Sequence, residues 1–367
     1  MSVCLAYPNS SLTYSETFIK NHLLHIPAGF TLTGGQWPYL TADHKSIFQF
    51  PLNENILRAS IKRISPGFYH RYYTAALKKY LIENGIKALL AEYGPVGARM
   101  VDGCLDSKVS LTVHFHGYDA YHNETLARYR IPYKHLFENV SKIIVVSEDM
   151  KTQLISIGAA EKKIVKIPYG VNTELFKGAD PGKNEINFLS VGRFAEKKAP
   201  DKTILAFRNM CKKIKEARLF MIGDGEMLAD CKELVKKLNI EKHVIFLGVL
   251  SPEEISAWHK KSYCFIQHSM RSSTGDSEGL PNTILEALSS GLPVISTRHA
   301  GIAEVIQNGE NGFLVEEGDT DGMALFMERL AGDKNLVATM SKNARATILE
   351  NYNLSDQIGK IIHLLEE

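Results

Sequence analysis

Apolar runs of strand length alternate with segments of helical period from one end of this chain to the other, and the alternation starts afresh partway along. A parallel strand pair needs a crossover of a dozen or more residues, usually a helix, so the pattern selects the α/β class. In the first half the expected strands are Val3–Tyr7, Phe30–Thr33, Ala88–Glu92, Ser110–Phe115, Ile143–Val146 and Val165–Ile167, with helices over Ser15–Leu24 and Glu148–Ile157. The polar, turn-rich stretch Phe176–Glu185 then reads as a linker. Beyond it the expected strands are Asn187–Val191, Arg218–Ile222, Val244–Leu247, Cys264–Gln267, Pro293–Ser296 and Gly312–Val315, with helices opening near Pro200, Glu226, Pro252, Pro281 and Gly301. Several openings carry a proline, which a first helical turn tolerates because its N–H would have no partner there. The expectation is two Rossmann-like domains, 1–178 and 179–350. A closing helix, about 351–367, has an apolar stripe of Ile358, Ile361, Ile362, Leu364 and Leu365 and is expected to pack back on the first domain.

A chain of 367 residues, 44% hydrophobic and 23% charged, exceeds what one core usually serves, which agrees with two domains. The formal net charge of +2 gives no case for nucleic acid as a partner. Five cysteines (Cys4, Cys104, Cys211, Cys231, Cys264) form no C-x-x-C pair and read as buried thiols in a reducing compartment, not as a disulfide frame or zinc site. The start, Met1–Tyr7, lacks a basic lead and a cleavage site, and no run of about 18 apolar residues occurs, so a cytoplasmic chain without signal or span is expected. Between Ile56 and Tyr80, Arg58, Lys62, Arg63, Arg71, Lys78 and Lys79 interleave with Ile61, Ile64, Phe68, Tyr69, Tyr72 and Tyr73. Such a segment could rest on an anionic membrane surface; a solvated helical face over an ordinary core is the plainer reading.

The most informative stretch is Glu278-Gly279-Leu280-Pro281-Asn282-Thr283-Ile284-Leu285-Glu286, a carboxylate in a glycine-containing loop followed by another inside a helix. A helix start near Pro281 offers backbone N–H groups and a positive dipole end, which suit a diphosphate. Glu286 would fall within the first two turns, where it can accept hydrogen bonds from a ribose hydroxyl pair. Alone, two glutamates at this spacing read more readily as surface charge. Gly192-Arg193 ends the first strand of the second domain and Lys198 follows in the next loop, where a parallel sheet binds ligands. A guanidinium fork and an ammonium there could neutralise a pyrophosphate, although Glu196 and Lys197 beside them look like solvated loop. Gly223-Asp224-Gly225-Glu226 after the next strand is by itself a tight turn and a cap.

Taken in order, these segments resemble the retaining glycosyltransferases of GT-B architecture that carry an E-x7-E motif, glycosyltransferase family four, of the bacterial capsule, exopolysaccharide and lipopolysaccharide type. The resemblance rests on Val191-Gly192-Arg193-Phe194 with Lys198, Ile222-Gly223-Asp224-Gly225, Phe246-Leu247-Gly248, Gly275-Asp276-Ser277 running into Glu278–Glu286, Gly291-Leu292-Pro293-Val294, and Ala300-Gly301-Ile302 with Glu304. In the first domain it includes Ser15-Glu16-Thr17-Phe18, His116-Gly117-Tyr118-Asp119, Val146-Ser147 and Ile167-Pro168-Tyr169-Gly170-Val171-Asn172.

The resemblance implies two Rossmann-like domains facing across a cleft, an acceptor domain first and a nucleotide-sugar donor domain second. Arg193 and Lys198 would sit on the diphosphate, Glu286 on the ribose, and the backbone of Leu247, Gly248 and Val249 on the base. Glu278 would hold a donor-sugar hydroxyl with Gly279 and Leu280 assisting, His116 would reach the donor sugar, and Ser15 and Glu16 would approach donor or acceptor. Gly192, Gly223, Asp224, Pro281, Asn282 and Thr283 complete the expected donor site. The implied donor is a UDP-sugar first and a GDP-sugar second; the implied acceptor is a saccharide or lipid-linked saccharide, with peripheral contact at the inner membrane face. No cofactor or metal is expected, because Arg193 and Lys198 would do a metal's work. Two departures stand out: Pro8–Tyr14 lacks the glycine pair of many relatives, and Ala199 stands where glycine often follows the motif lysine. Asp319-Thr320-Asp321 spells a metal-binding D-x-D but reads as a helix cap. His114 shares a strand face with His116 and is expected to pack. A nucleotide-sugar epimerase, a sugar phosphorylase and a non-catalytic binder are the alternatives; an NAD-dependent oxidoreductase lacks its G-x-G-x-x-G turn.

Overall fold

The computed structural model describes residues 2–9, 16–35, 37–48 and 65–367. Contacts divide the chain into two units, Met1–Ile167 with Ile358–Glu367, and Pro168–Gln357. In the first unit β1 (Val3–Ala6), β2 (Phe30–Leu32), β3 (Ala88–Glu92), β4 (Ser110–His114), β5 (Lys142–Val145) and β6 (Ile164–Lys166) form one sheet in the order β2-β1-β3-β4-β5-β6. In the second, β7 (Asn187–Val191), β8 (Arg218–Ile222), β9 (Val244–Gly248), β10 (Cys264–Gln267), β11 (Val294–Thr297) and β12 (Gly312–Val315) run in the order β12-β11-β10-β7-β8-β9. All pairings between these strands are parallel. The expected α/β class, with a Rossmann-like sheet in each half, is what the chain forms.

The strands were legible because parallel sheets covered on both faces need nearly continuous apolar runs. Every residue of β1, β3, β10, β11 and β12 is buried. The second core gathers around Phe188, Phe207, Tyr263 and Met327, all fully buried; burying one such side chain is worth about 1.5–3 kcal/mol. Helix ends follow local chemistry. Ser147 Oγ accepts the Met150 N–H at 3.2 Å. Ser251 and Glu254 form a reciprocal capping box ahead of Pro252. Gly291, at φ 92°, ends helix Asn282–Ser290 in the left-handed conformation that a side chain would resist. Asp319 caps helix Thr320–Gly332 by accepting the Gly322 N–H at 2.8 Å, and Asp321 accepts from Asn209, so the D-x-D triplet serves a helix start.

Three helix openings shift slightly from expectation, to Leu228, Asn282 and Ile302. Pro281 takes the capping position, with ψ 115°, and not the first turn. The larger difference is the division between units, which precedes Pro168 and so lies well ahead of the turn-rich stretch. Residues 168–178 are held by the second unit. The Arg345 guanidinium donates to the carbonyls of Thr173, Phe176 and Ser289 at 3.0, 2.9 and 2.7 Å. Val171 exchanges backbone hydrogen bonds with Tyr352 and Leu354, and a Cβ on Gly170 would fall 2.5 Å from the Leu354 backbone. Local polarity cannot reveal partners so distant in sequence. The closing helix runs Leu354–Glu366 and buries Ile358, Ile361, Leu364 and Leu365, and its residues from Ile358 count with the first unit. Of the basic and aromatic segment, 56–64 lies outside the described residues; helix Pro66–Glu83 turns Tyr69, Tyr73, Leu77 and Leu81 into the core.

Replacing Arg345 by Met keeps the apolar stem and removes the guanidinium donor from three carbonyls, of which that of Phe176 keeps Ser289 Oγ at 2.8 Å. The loss is expected to be about 2–4 kcal/mol, seen as a lowered Tm in scanning calorimetry; an unchanged Tm would mean that Arg345 does not hold the segment.

Candidate functional site

In each sheet the strand order reverses once, between β1 and β3 and between β7 and β10. Crossovers leave such a point in opposite directions and open a crevice beyond the strands' carboxyl ends, the usual ligand position in open α/β sheets. In the second unit this crevice is a pocket whose lining includes Gly192, Arg193, Phe194, Lys198, Met221 and Gln267. Two of its walls are glycine-dependent. A Cβ on Gly223 would meet the Gly192 carbonyl at 2.0 Å, and one on Gly225 would meet Phe194 at 2.6 Å. The Phe194 N–H also donates to the Asp224 carbonyl at 2.9 Å. Gly223 and Gly225 therefore shape the loop behind the pocket, while the Asp224 carboxylate is exposed and accepts the Gly225 N–H. The Gly248 carbonyl accepts from Gly223, with Leu247 part-buried and Val249 48% exposed beside it.

The turn Glu196–Lys198 binds the segment Ser273–Glu278 residue by residue. Glu196 accepts from the Ser273 N–H and Oγ at 2.7 and 2.8 Å, Lys197 pairs with Asp276 at 3.1 Å, and Lys198 pairs with Glu278 Oε1 at 3.2 Å. Glu196 and Lys197 are thus structural partners of this loop, where the sequence suggested only solvated charge. Ala199, at φ 37°, is held in left-handed backbone; that is the physical reason a glycine suits this position, and alanine costs about 1 kcal/mol or more there. Arg193 is exposed and lines the pocket. Gln267, ending β10, accepts from Thr283 Oγ1 at 3.2 Å and ties the start of helix Asn282–Ser290 to the pocket. Gly279, Leu280 and Pro281 are buried, Asn282 is part-buried, and Glu286 stands one turn into the helix. The structure thus brings Arg193, Lys198, Glu278, Thr283 and Glu286 into one neighbourhood.

The electrostatics follow burial. Burial pulls the Lys198 ammonium down, while Glu278 pushes it back. Burial works to raise the Glu278 carboxyl, but Lys198 and then Lys197 hold it below the usual range. Glu286 has no such compensation: loss of hydration pushes its carboxyl up to about 7, with Lys198 only partly opposing.

At the reversal point of the first sheet the chain places a histidine–carboxylate cluster. Glu92 ends β3 and is 1% exposed; its Oε1 lies 2.6 Å from His22 Nδ1 and its Oε2 lies 2.8 Å from His116 Nε2. Burial alone would raise the Glu92 carboxyl, yet His22 and His116 bring it well below the usual range. His114 is buried, stacks on His22, lies tilted against His116, and has its imidazole held well below the usual range, by burial first. His116 also stacks on Phe18 at 4.1 Å, so its Nε2 faces its own unit's interior. The turn that carries it is fixed by Asp119, whose carboxylate accepts the N–H groups of Gly94, His116 and Gly117 at 2.8, 2.9 and 3.1 Å. Glu16 is buried beside Asn9 and Tyr93, and Ser15 lies outside the described residues. Among the described residues His22, Glu92 and His114 form the one group that could hold a metal ion, although both Glu92 oxygens already accept from imidazoles. Glu92, His22, Asp119 and Gln267 were missed from sequence. The available signal was an acid closing a strand, Ala88–Glu92, that is otherwise wholly apolar.

Two parallel six-stranded sheets, each with a crevice at its reversal, make up the GT-B architecture. A model described as "Glycosyl transferases group 1" matches residues 171–347, and one described as "Glycosyltransferase Family 4" matches residues 46–175; between them they take in most of the chain, which belongs to this family. The chain is 29% identical over 347 residues to an amylovoran biosynthesis glycosyltransferase of Erwinia amylovora, covering 89% of this chain and 85% of that one. It is 27% identical to a putative colanic acid biosynthesis glycosyltransferase of Salmonella typhimurium, covering 72% and 66%. Among solved structures, Anabaena HepE in complex with UDP superposes with a TM-score of 0.78 at 16% identity, covering 100% of both chains. The sucrose-phosphate synthase of Thermosynechococcus elongatus does so with 0.74 at 17%, covering 99% and 98%. These two establish the fold.

A carboxyl raised in the folded state keeps its proton while the unfolded chain has lost it, so Glu286 costs stability as pH rises from the ordinary carboxylate range to about 7. Glu286→Gln removes that cost. Without ligand, its Tm relative to wild type is expected to climb between pH 5 and pH 8; a constant difference would place Glu286 in water.

Proposed function

We propose that this glycosyltransferase moves a sugar from a nucleoside-diphosphate sugar, UDP-linked first and GDP-linked second, to a saccharide or lipid-linked saccharide, with the anomeric configuration retained and without a metal. The supporting observation is that Arg193 and Lys198 line the pocket at the reversal of the second sheet while Glu278 pairs with Lys198 at 3.2 Å. Breaking the bond between the anomeric carbon and the diphosphate oxygen builds positive charge on the sugar and negative charge on the leaving group. Two cations and a helix N-terminus already in place lower that barrier more than they stabilise the ground state. Arg193 takes the diphosphate by its fork and Lys198 as a point charge, with Glu278 on a donor-sugar hydroxyl and Glu286 on the ribose. The backbone of Gly279, Leu280, Asn282 and Thr283 assists, and that of Leu247, Gly248 and Val249 meets the base. The acceptor oxygen bonds to the anomeric carbon on the face the diphosphate leaves, and the acceptor proton passes to a phosphate oxygen. Glu278 then needs no covalent role, unlike the paired carboxylates of retaining glycosidases.

Glu16, His116 and Ser15 are proposed from sequence as substrate-binding residues of the first unit; His116 would act there through ring atoms other than Nε2, which Glu92 holds. The amylovoran and colanic acid relatives support surface polysaccharide as the product class. With a lipid-linked acceptor the work falls at the inner face of the membrane. The contact proposed there is peripheral; among the described residues no helix is long and apolar enough to cross a membrane.

A thermal-shift series with UDP, GDP, ADP, their sugar conjugates and NAD, with and without EDTA, tests this reading. One nucleoside diphosphate should raise Tm regardless of EDTA, by an amount equivalent to about 2.7 kcal/mol at a hundred times its Kd. Stabilisation by NAD alone, or strict metal dependence, would overturn it. In kinetics Glu286→Ala should weaken donor binding and Lys198→Ala should chiefly slow transfer; wild-type behaviour of both would misplace the donor.

A further inference from the structure

His299 lies just beyond β11 and is 4% exposed. Its Nε2 faces the backbone N–H of Glu278 at 3.2 Å and Ser277 Oγ at 3.0 Å. A backbone N–H can only donate, so Nε2 carries the lone pair and the ring proton sits on Nδ1. Nδ1 is 2.6 Å from Glu317 Oε1, and Glu317 Oε2 accepts the Arg271 N–H at 3.1 Å. The Gly301 N–H donates to the Gly279 carbonyl at 3.1 Å from the same side. The loop 277–279 is therefore tied by its main chain to the ends of β11 and β12, while Lys198 holds the Glu278 carboxylate from the β7 side. Ser277, His299 and Glu317 have the order of a nucleophilic triad, but the Glu278 N–H shares Nε2 and Ser277 is 4% exposed, so the assembly serves position.

We infer that His299 is a positioning residue for donor-sugar recognition: with its tautomer set by Glu317, it accepts the Glu278 main-chain N–H and so aims the Glu278 carboxylate. The inference rests on Glu278 contacting the sugar, as proposed above. It separates sugar from nucleotide, because the diphosphate is held by Arg193 and Lys198, which His299 does not touch. Gln can place an amide oxygen where Nε2 stands, whereas Asn is too short and reaches only the position of Nδ1.

The test is calorimetric titration of wild type, His299→Asn, His299→Gln and Glu278→Gln with UDP and UDP-glucose and with GDP and GDP-mannose, using the pair that wild type binds. His299→Asn should bind the bare diphosphate within about twofold of wild type and lose roughly tenfold for the sugar conjugate, the worth of one well-placed hydrogen bond to a charged group. His299→Gln should recover most of that loss. Unchanged conjugate affinity in His299→Asn, with Glu278→Gln impaired, would overturn the positioning role and leave the proposed donor site standing. Equal loss in the Asn and Gln variants, or equal loss of diphosphate and conjugate, would reduce His299 to a packing residue. Wild-type affinity in Glu278→Gln would overturn the sugar contact and this inference with it.

Discussion

The reversal of strand order in each parallel sheet is the constraint from which the rest follows. Helical crossovers that leave adjacent strands in opposite directions cannot cover the carboxyl ends between them. Whatever the sequence places at those ends is partly withdrawn from water yet reachable by a ligand. In the second unit these ends carry Gly192, Arg193 and Gln267, and in the first they carry Glu92 and the turn of His116.

Both crevices are filled with charge, and neither is filled cheaply. A carboxylate or ammonium taken from water costs several kcal/mol unless it is paired and hydrogen-bonded. Lys198 and Glu278 meet this cost against one another, and Glu92 meets it through two imidazoles. Such pairs contribute little to net stability; what they supply is a fixed geometry, since breaking either side strands the other. Glu286 is the exception, a carboxyl that burial pushes up to about 7 for want of a sufficient partner. A ligand that offers hydroxyl donors to that group would replace the missing hydration, which links its unusual state to the ribose role proposed for it.

Sequence reasoning succeeded where the cause was local. Strands Ala88–Glu92, Asn187–Val191, Arg218–Ile222, Cys264–Gln267 and Gly312–Val315 match their expected bounds because strands covered on both faces are built around short, mostly apolar runs. It failed where the cause lay far along the chain. Arg345 fastens Thr173 and Phe176 to the second unit, and nothing near position 173 announces this. Glu196 and Lys197 looked like solvated loop because their partners, Ser273 and Asp276, lie almost 80 residues away. His299 showed no sign of its task, which depends on a main-chain N–H and on a carboxylate from the next strand's end.

The amino-acid sequence by itself determined the α/β class, the two parallel sheets and the motif positions at the strand ends, because hydrophobic period, glycine and proline act over a few residues. It also determined that Glu278 and Glu286 flank a helix start, since eight residues of spacing and a proline are local facts. Only the tertiary structure decided which strands are neighbours, where each sheet reverses, and hence that Lys198 faces Glu278 while Glu92 gathers His22 and His116. Protonation was decided at the same level, because desolvation and charge pairing depend on what surrounds a group in space, not on what precedes it in the chain.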